Sequence, residues 1–597
     1  MVRLQAWFRA HAWGVAAGVG TMALWVAGVW GFWPIFCKLG LRACCYADWA
    51  GFCAAAGEAL PGGVLRWAAH LGMGLWRVPL LGGAVMVGAL GGLTLCARVS
   101  GRLRGGWGVL PGGLLLWQVA YCGFSCWIFA NAAFPLHYAL GWSVLLLVAT
   151  VGWRWGAWGA LGVVLWPVAG LPALAGVVLG ALAGRGRWPG RLGRLVLALA
   201  VAVAWRRFSE SDATWQELCL ANSPFLFEQD CALWNVGNSL LLGALLGAEP
   251  LRAWVARAVE ARWAKRGALG LRLAGWLVAA LAVGGSCWVG MDPVRPLYEI
   301  LACERAVERD DVAAILRLAP ERAVKHRMLS AYTIYALWRS GQLEERLFDY
   351  PWRVTHSTST IDTMELDGYR LLYRYGLVQL ARRWCYESVI NKEWSGEKYA
   401  LLARIALVTE EPALARRYAR QLARLPLWGK EASQLLALCE GRGQPEPELR
   451  RIHDLHLRLC ADTGSPTFEG AKRLEEGIYN RYAVLKNGNR DMVGLYLCAS
   501  LLRKDTTPLA ENYEVILSVW PQRPLPRAFQ QGYLEMTLTP PAGGTPPLRS
   551  DLFSPATVRD FEAFCATLRH ASGGRLSPEQ LMPRFGRSYW FYSRFVQ

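Results

Sequence analysis

The chain has 597 residues, a formal net charge of +19 and 54% hydrophobic residues, 31 of them Trp. That length exceeds what one hydrophobic core holds, so several domains are expected. The basic excess comes without zinc-finger spacing, an aromatic–basic motif or a basic tail, and so carries no expectation of a nucleic-acid partner.

Residues 1–290 are rich in Gly, Ala, Leu, Val and Trp. Apolar runs there predict helical spans, because lipid leaves backbone groups no other partners. In chain order they cover 13–36, 78–96, 109–127 and 137–153. A helical hairpin of two short spans over 155–184, interrupted by Pro167, Gly170 and Pro172, follows. Further spans start at 195–205 and cover 232–246 and 271–290, giving about nine. The long first outer loop, 37–77, is broken at Pro61-Gly62-Gly63, and its part 64–76 is amphipathic enough to lie along a membrane surface.

Basic residues set the orientation. Arg98, Arg102 and Arg104, then Arg154, then Arg185 to Arg194, then Arg252 to Arg272 all fall on one side when the N-terminus is cytoplasmic. Arg206 and Arg207 fall on the other side. An odd number of spans in an inner (cytoplasmic) membrane places the rest of the chain in the periplasm. The 16 cysteines form no paired CxxC motif, and Cys219 and Cys231 share one outer loop, leaving a disulfide between them as an open alternative.

From 291 to 536 the pattern is helix after helix, with connections at Gly341, Gly396, Pro412 and Pro426. Pairs such as 399–409 with 413–425 have the size of helix-turn-helix repeats and carry alanines suited to close packing. The expected fold class is therefore α: a polytopic membrane domain followed by a tetratricopeptide-like (TPR-like) solenoid. Residues 537–597 read as a Pro/Gly-rich linker and a helical, aromatic cap whose end, Ser588-Tyr589-Trp590-Phe591-Tyr592, is expected to fold back.

The succession of segments resembles a family of uncharacterised polytopic membrane proteins from Bacteroidota with a helical-repeat C-terminal region. The carrying segments are Pro61-Gly62-Gly63-Val64-Leu65, Ser340-Gly341-Gln342-Leu343 before Arg346-Leu347-Phe348, and Ala415-Arg416-Arg417-Tyr418 before Leu427-Trp428. Asn489-Arg490-Asp491-Met492 and Tyr589-Trp590 complete the order. The resemblance implies topology and architecture, and no activity comes with it.

Two readings of function follow. In the leading one the outer helical repeats bind a protein or an envelope polymer, the bilayer is the other partner, and no cofactor or metal is expected. In the alternative the chain is a polytopic lipid-carrier-dependent glycosyltransferase, with Asp48 or Glu58 of the first outer loop as the catalytic carboxylate. Asp48 stands without a second acid beside it. His453 and His456, spaced i, i+3, lack a third ligand and read as a solvated helix face. Gln118, Asn235 and Asn238 are the polar residues within expected spans, suited to bonding across helices.

Overall fold

The computed structural model describes residues 45–57, 61–99, 134–155, 165–183, 188–208, 299–318, 327–350, 368–392, 394–460, 490–541, 543–570 and 577–596, together with 38, 41, 214 and 352. Every regular element among them is a helix. The chain forms two compact units. One comprises Met1–Arg295, Trp394–Tyr399 and Ala419–Ser433, and the other Pro296–Glu393, Ala400–Tyr418 and Gln434–Gln597.

The first unit contains α1 (Trp49–Ala56), α2 (Gly63–Gly74), α3 (Pro79–Val99), α4 (Phe134–Trp155), α5 (Trp166–Ala169), α6 (Leu171–Ala183) and α7 (Trp188–Phe208). No helix among the described residues is long and apolar enough to cross a membrane, which overturns the expected polytopic domain of about nine spans. The residues give the reason. His137, Ser143, Thr150 and Arg154 interrupt α4, and four arginines sit in α7. The 13 residues of α6 extend about 20 Å at 1.5 Å per residue, against about 30 Å of hydrocarbon. The expected spans at 13–36, 109–127, 232–246 and 271–290 lie outside the described residues.

Helix α4 packs against α2, α3 and α6, and α6 in turn against α7. The stripe Leu65, Ala69, Met73 and Trp76, placed by sequence along a membrane surface, is buried instead, and α2 lies on α4. The Pro/Gly breaks that sequence reads separately meet here. Gly62 N–H donates to the Pro167 carbonyl at 3.0 Å. Gly170, at φ +66, lies so close that a Cβ would stand 3.1 Å from Gly62 Cα.

His137 near the start of α4 is 4% exposed, and its Nε2 has no hydrogen-bond partner. Burial, with smaller contributions from the charges of His70 and Arg66, pushes its pKa down to about 3 from the ordinary 6.5. The unfolded chain therefore binds the extra proton between those values, and stability falls as pH drops through that window. Thermal unfolding should show a slope approaching about 1.4 kcal/mol per pH unit for this proton, flattened in His137→Leu; an unchanged slope would count against the assignment.

The second unit repeats one device. A helix ends with one residue in the left-handed region, and at five of the six such ends the next helix starts within three residues. These residues are Asp310, Gly341, Gly376, Glu410, Gly441 and Lys504, with φ between 54° and 82°. From 310 to 341, 376, 410 and 441 the steps are 31, 35, 34 and 31 residues. Each turn makes the same two backbone bonds. In the first, Asp311 N donates to Ala306 O and Asp310 N to Val307 O; in the last, Asp505 N donates to Ser500 O and Lys504 N to Leu501 O. This is the Schellman arrangement, which satisfies the carbonyls a helix end leaves open.

The helices described from 312 to 502 are α8 (Val312–Leu318), α9 (Arg327–Arg339), α10 (Leu343–Arg346), α11 (Tyr369–Arg374), α12 (Val378–Lys392), α13 (Gly396–Val408), α14 (Pro412–Ala423), α15 (Gly429–Cys439), α16 (Pro447–Cys460) and α17 (Arg490–Leu502). Small residues set the close packing: Ala406, Ala415 and Cys439 form one buried cluster.

Helices α18 (Thr507–Glu511), α19 (Tyr513–Val519), α20 (Arg527–Leu538), α21 (Pro555–His570), α22 (Pro578–Phe585) and α23 (Tyr589–Phe595) close the unit. Helix α20 is buried from Ala528 to Met536 and is packed by α10, α17, α18, α21 and α23. Its polar side chains are spent on the helices around it. Gln530 Oε1 accepts from Ser554 N at 2.8 Å, Gln531 Oε1 from Tyr589 N at 2.9 Å, and Glu535 pairs with Arg594 at 2.8 Å. Tyr589, Trp590, Phe591 and Tyr592 are all buried.

The turns make a stability test. A Cβ on Gly441 would meet nothing, so only backbone conformation opposes it. Gly441→Ala should lower the stability of the second unit by about 1 kcal/mol, and Glu410→Gly should raise it by a similar amount. Equal midpoints for the two variants would contradict the turn assignment.

Candidate functional site

The first unit gathers charge and aromatic rings around Asp48. The segment 45–48 is extended and clipped at both edges. Ala47 N donates to Arg424 O at 3.2 Å, and Trp67 Nε1 donates to Tyr46 O at 3.0 Å. Asp48 caps α1, its Oδ1 accepting from Gly51 N at 2.7 Å. Arg424 grips the same carboxylate, Nε to Oδ2 at 2.7 Å and Nη2 to Oδ1 at 3.2 Å. The Arg424 guanidinium also lies 4.0 Å from the centre of the Tyr46 ring.

Hydrogen bonding by Arg424, with help from Gly51 N, holds the Asp48 carboxyl below its usual range. A general base works best with a pKa near the operating pH. Asp48 is held away from that range, and both its oxygens have donors. The arrangement suits a clasp between chain segments.

Two further contacts build the same cluster. Lys38 Nζ donates to both oxygens of Glu397, at 3.1 and 2.9 Å, and both residues are buried. The Tyr46 and Tyr399 hydroxyls are 2.8 Å apart, and Trp394 stacks on Tyr399 with centroids 4.5 Å apart. Arg77 lies 4.1 Å from the Trp428 ring centre, donates to Leu427 O at 2.9 Å, and pairs with Glu431 at 3.7 Å. Gly396 lies so close under the Trp428 indole that a Cβ would overlap the ring. Leu427 is held at φ 64, an unusual conformation for a branched residue, which presents its carbonyl to Arg77.

Of the residues singled out from sequence, Asp48 is in this cluster. Glu58, Cys219, Cys231, Gln118, Asn235 and Asn238 lie outside the described residues. His453 and His456 are in the second unit, where the Val408 carbonyl stands 3.1 Å from His453 Nδ1. Burial, then the charges of His453 and Arg382, lower the pKa of His456. The partners that sequence reasoning missed are Lys38, Arg77, Glu397, Arg424 and Trp428. The isolated Gly396 and the Leu427-Trp428 pair are the only local marks of them.

A buried ion pair is costly to break from one side, because a charge is left without its partner. Glu397→Gln alone should destabilise the first unit by about 3–5 kcal/mol. The double variant Lys38→Met/Glu397→Leu should recover most of that loss. Additive single and double effects in a thermal-unfolding cycle would rule out the coupling.

Neither a curated protein nor a solved structure matches the chain. One family pattern does, running across both units from residue 21 to residue 596. With that span matched, the chain belongs to the family of unknown function DUF6057.

Proposed function

We propose that this protein is a binding scaffold held at the surface of the cytoplasmic membrane, whose helical-repeat unit engages a protein or an envelope polymer. The observation that carries the reading is on α7. Trp188, Leu192, Val196, Leu199 and Val203 follow the i, i+3/i+4 spacing of one helix face and are 64%, 51%, 57%, 64% and 47% exposed. Soluble surfaces rarely leave such a stripe uncovered. The chain places arginines at 191, 194, 206 and 207, near both ends of the stripe, where anionic lipid headgroups attract them. Leu81, Leu95 and Val99 of α3 add exposed apolar surface in the same unit. Successive helix-turn-helix repeats offer the extended surfaces that suit a partner.

Vesicles of anionic phosphatidylglycerol test the lipid part. The full-length protein should co-sediment with them, and Leu192→Ser/Val196→Ser/Leu199→Ser should lower partitioning at least tenfold, roughly what losing a few buried side chains implies. Unchanged partitioning of the triple variant would sink the reading. So would a loss of self-association in that variant with lipid binding intact, because a second copy would then be what covers α7.

A further inference from the structure

We propose that the first unit carries a docking site for a neutral polysaccharide, in which the Trp49 indole stacks on a sugar ring while Gln421, Arg424 and Asp48 bond its hydroxyl groups. The site lies outside the repeats, and the proposal does not rest on the membrane reading.

Trp49 opens α1 and is 76% exposed. It is nonetheless held in place. Its ring stacks on Phe52 with centroids 5.3 Å apart and planes 25° apart, and Phe52 meets Trp67 edge-on at 5.6 Å. Trp67 is tied in turn to the Tyr46 carbonyl at 3.0 Å. One indole face is thus backed by a ring, and the exposure leaves the other to solvent. A side chain fixed this way loses little freedom when a ligand arrives.

A polar rim adjoins the platform. Asp48 precedes Trp49 in the chain, and the side chains of Asp48 and Arg424 are 41% and 34% exposed. Gly51 N, Arg424 Nε and Arg424 Nη2 fill three positions on the Asp48 oxygens, of roughly four that a carboxylate offers. Arg424 Nη1 donates to Gln421 Oε1 at 3.1 Å. An arginine only donates, so Gln421 must turn its oxygen to it, which leaves the Gln421 NH2 group for another acceptor. Arg424 itself keeps N–H bonds beyond those three contacts. The rim offers donors and an acceptor together, as a sugar hydroxyl requires.

Chemistry selects the ligand. The face of an indole is negative. The ring C–H groups of a sugar, each on a carbon bonded to oxygen, are positive, and in β-linked glucose or N-acetylglucosamine they all stand perpendicular to the ring. Asp48 and Arg424 neutralise each other, so the rim calls for no net charge. The other exposed residues of α1 are small: Ala50, Cys53, Ala54 and Ala56. The platform therefore has the width of one sugar ring, far short of the roughly 800 Å² that a stable protein partner covers. A carboxylate at its edge repels anionic lipid, in contrast to the arginines beside the α7 stripe.

Saturation-transfer NMR of the full-length protein with cellohexaose and with chitohexaose tests this. At least one should bind, with a dissociation constant of roughly 1 mM or tighter. Trp49→Ala should weaken it roughly tenfold, because an aromatic partner and its buried area are both lost. Trp49→Tyr should keep most of the affinity. Gln421→Ala should weaken binding about threefold, as for one hydrogen bond between neutral groups. Partitioning of all three variants onto phosphatidylglycerol vesicles should equal that of the unaltered protein. Three results would overturn the proposal: binding of neither oligosaccharide; undiminished binding in Trp49→Ala, meaning a site elsewhere; or loss of vesicle partitioning in Trp49→Ala, meaning that the indole sits in lipid.

Discussion

A helix leaves its last carbonyls unpaired, and the second unit meets this with one left-handed residue at each of six helix ends. That residue folds the backbone so that two amide groups return to the open carbonyls, and the same motion redirects the chain into the next helix. Termination and reversal are therefore one event. The steps of 31 to 35 residues between the first five turns follow from it, because each turn opens a new out-and-back stretch of chain. The contact between Ala406 and Ala415 depends on the turn in the same way, because the turn at Glu410 brings the two residues flanking it into one buried cluster with Cys439.

Much of this was legible in the sequence and some was not. Helical periodicity marked the second unit because its amphipathic faces repeat within each helix. Gly341 was recognised as a connection, but Asp310, Glu410 and Lys504 take the same conformation without being glycine, so the period was hidden behind residue identity. The first unit was misread for a different reason. Apolar runs in sequence do not distinguish lipid-spanning helices from shorter ones diluted by polar residues, and position-by-position hydropathy ignores where a helix starts and stops. Asp48 was visible from sequence. Arg424 was not, because 376 positions separate the two and no local pattern links them.

The Asp48 cluster and the buried tyrosines of the second unit use polar groups in opposite ways. Around Asp48 every oxygen of the carboxylate has a donor, Lys38 meets both oxygens of Glu397, and Arg77 has a ring, a carbonyl and a carboxylate. Matched groups of that kind fix geometry. The Tyr335 and Tyr373 hydroxyls, by contrast, are buried without a hydrogen-bond partner among the described residues.

Helix α20 sits inside its unit, yet the helices that finish covering it come after it in the chain. Until α23 arrives, Gln531 lacks the Tyr589 amide and Glu535 lacks Arg594. During synthesis, then, α23 must leave the ribosome before the unit's interior is sealed. A chain cut at 588 or before keeps the six left-handed turns but exposes a hydrophobic and charged seam along α20. Such a seam is the kind of surface that chaperones and proteases bind, so closure of the unit's interior waits on a helix that follows α20 by some fifty residues.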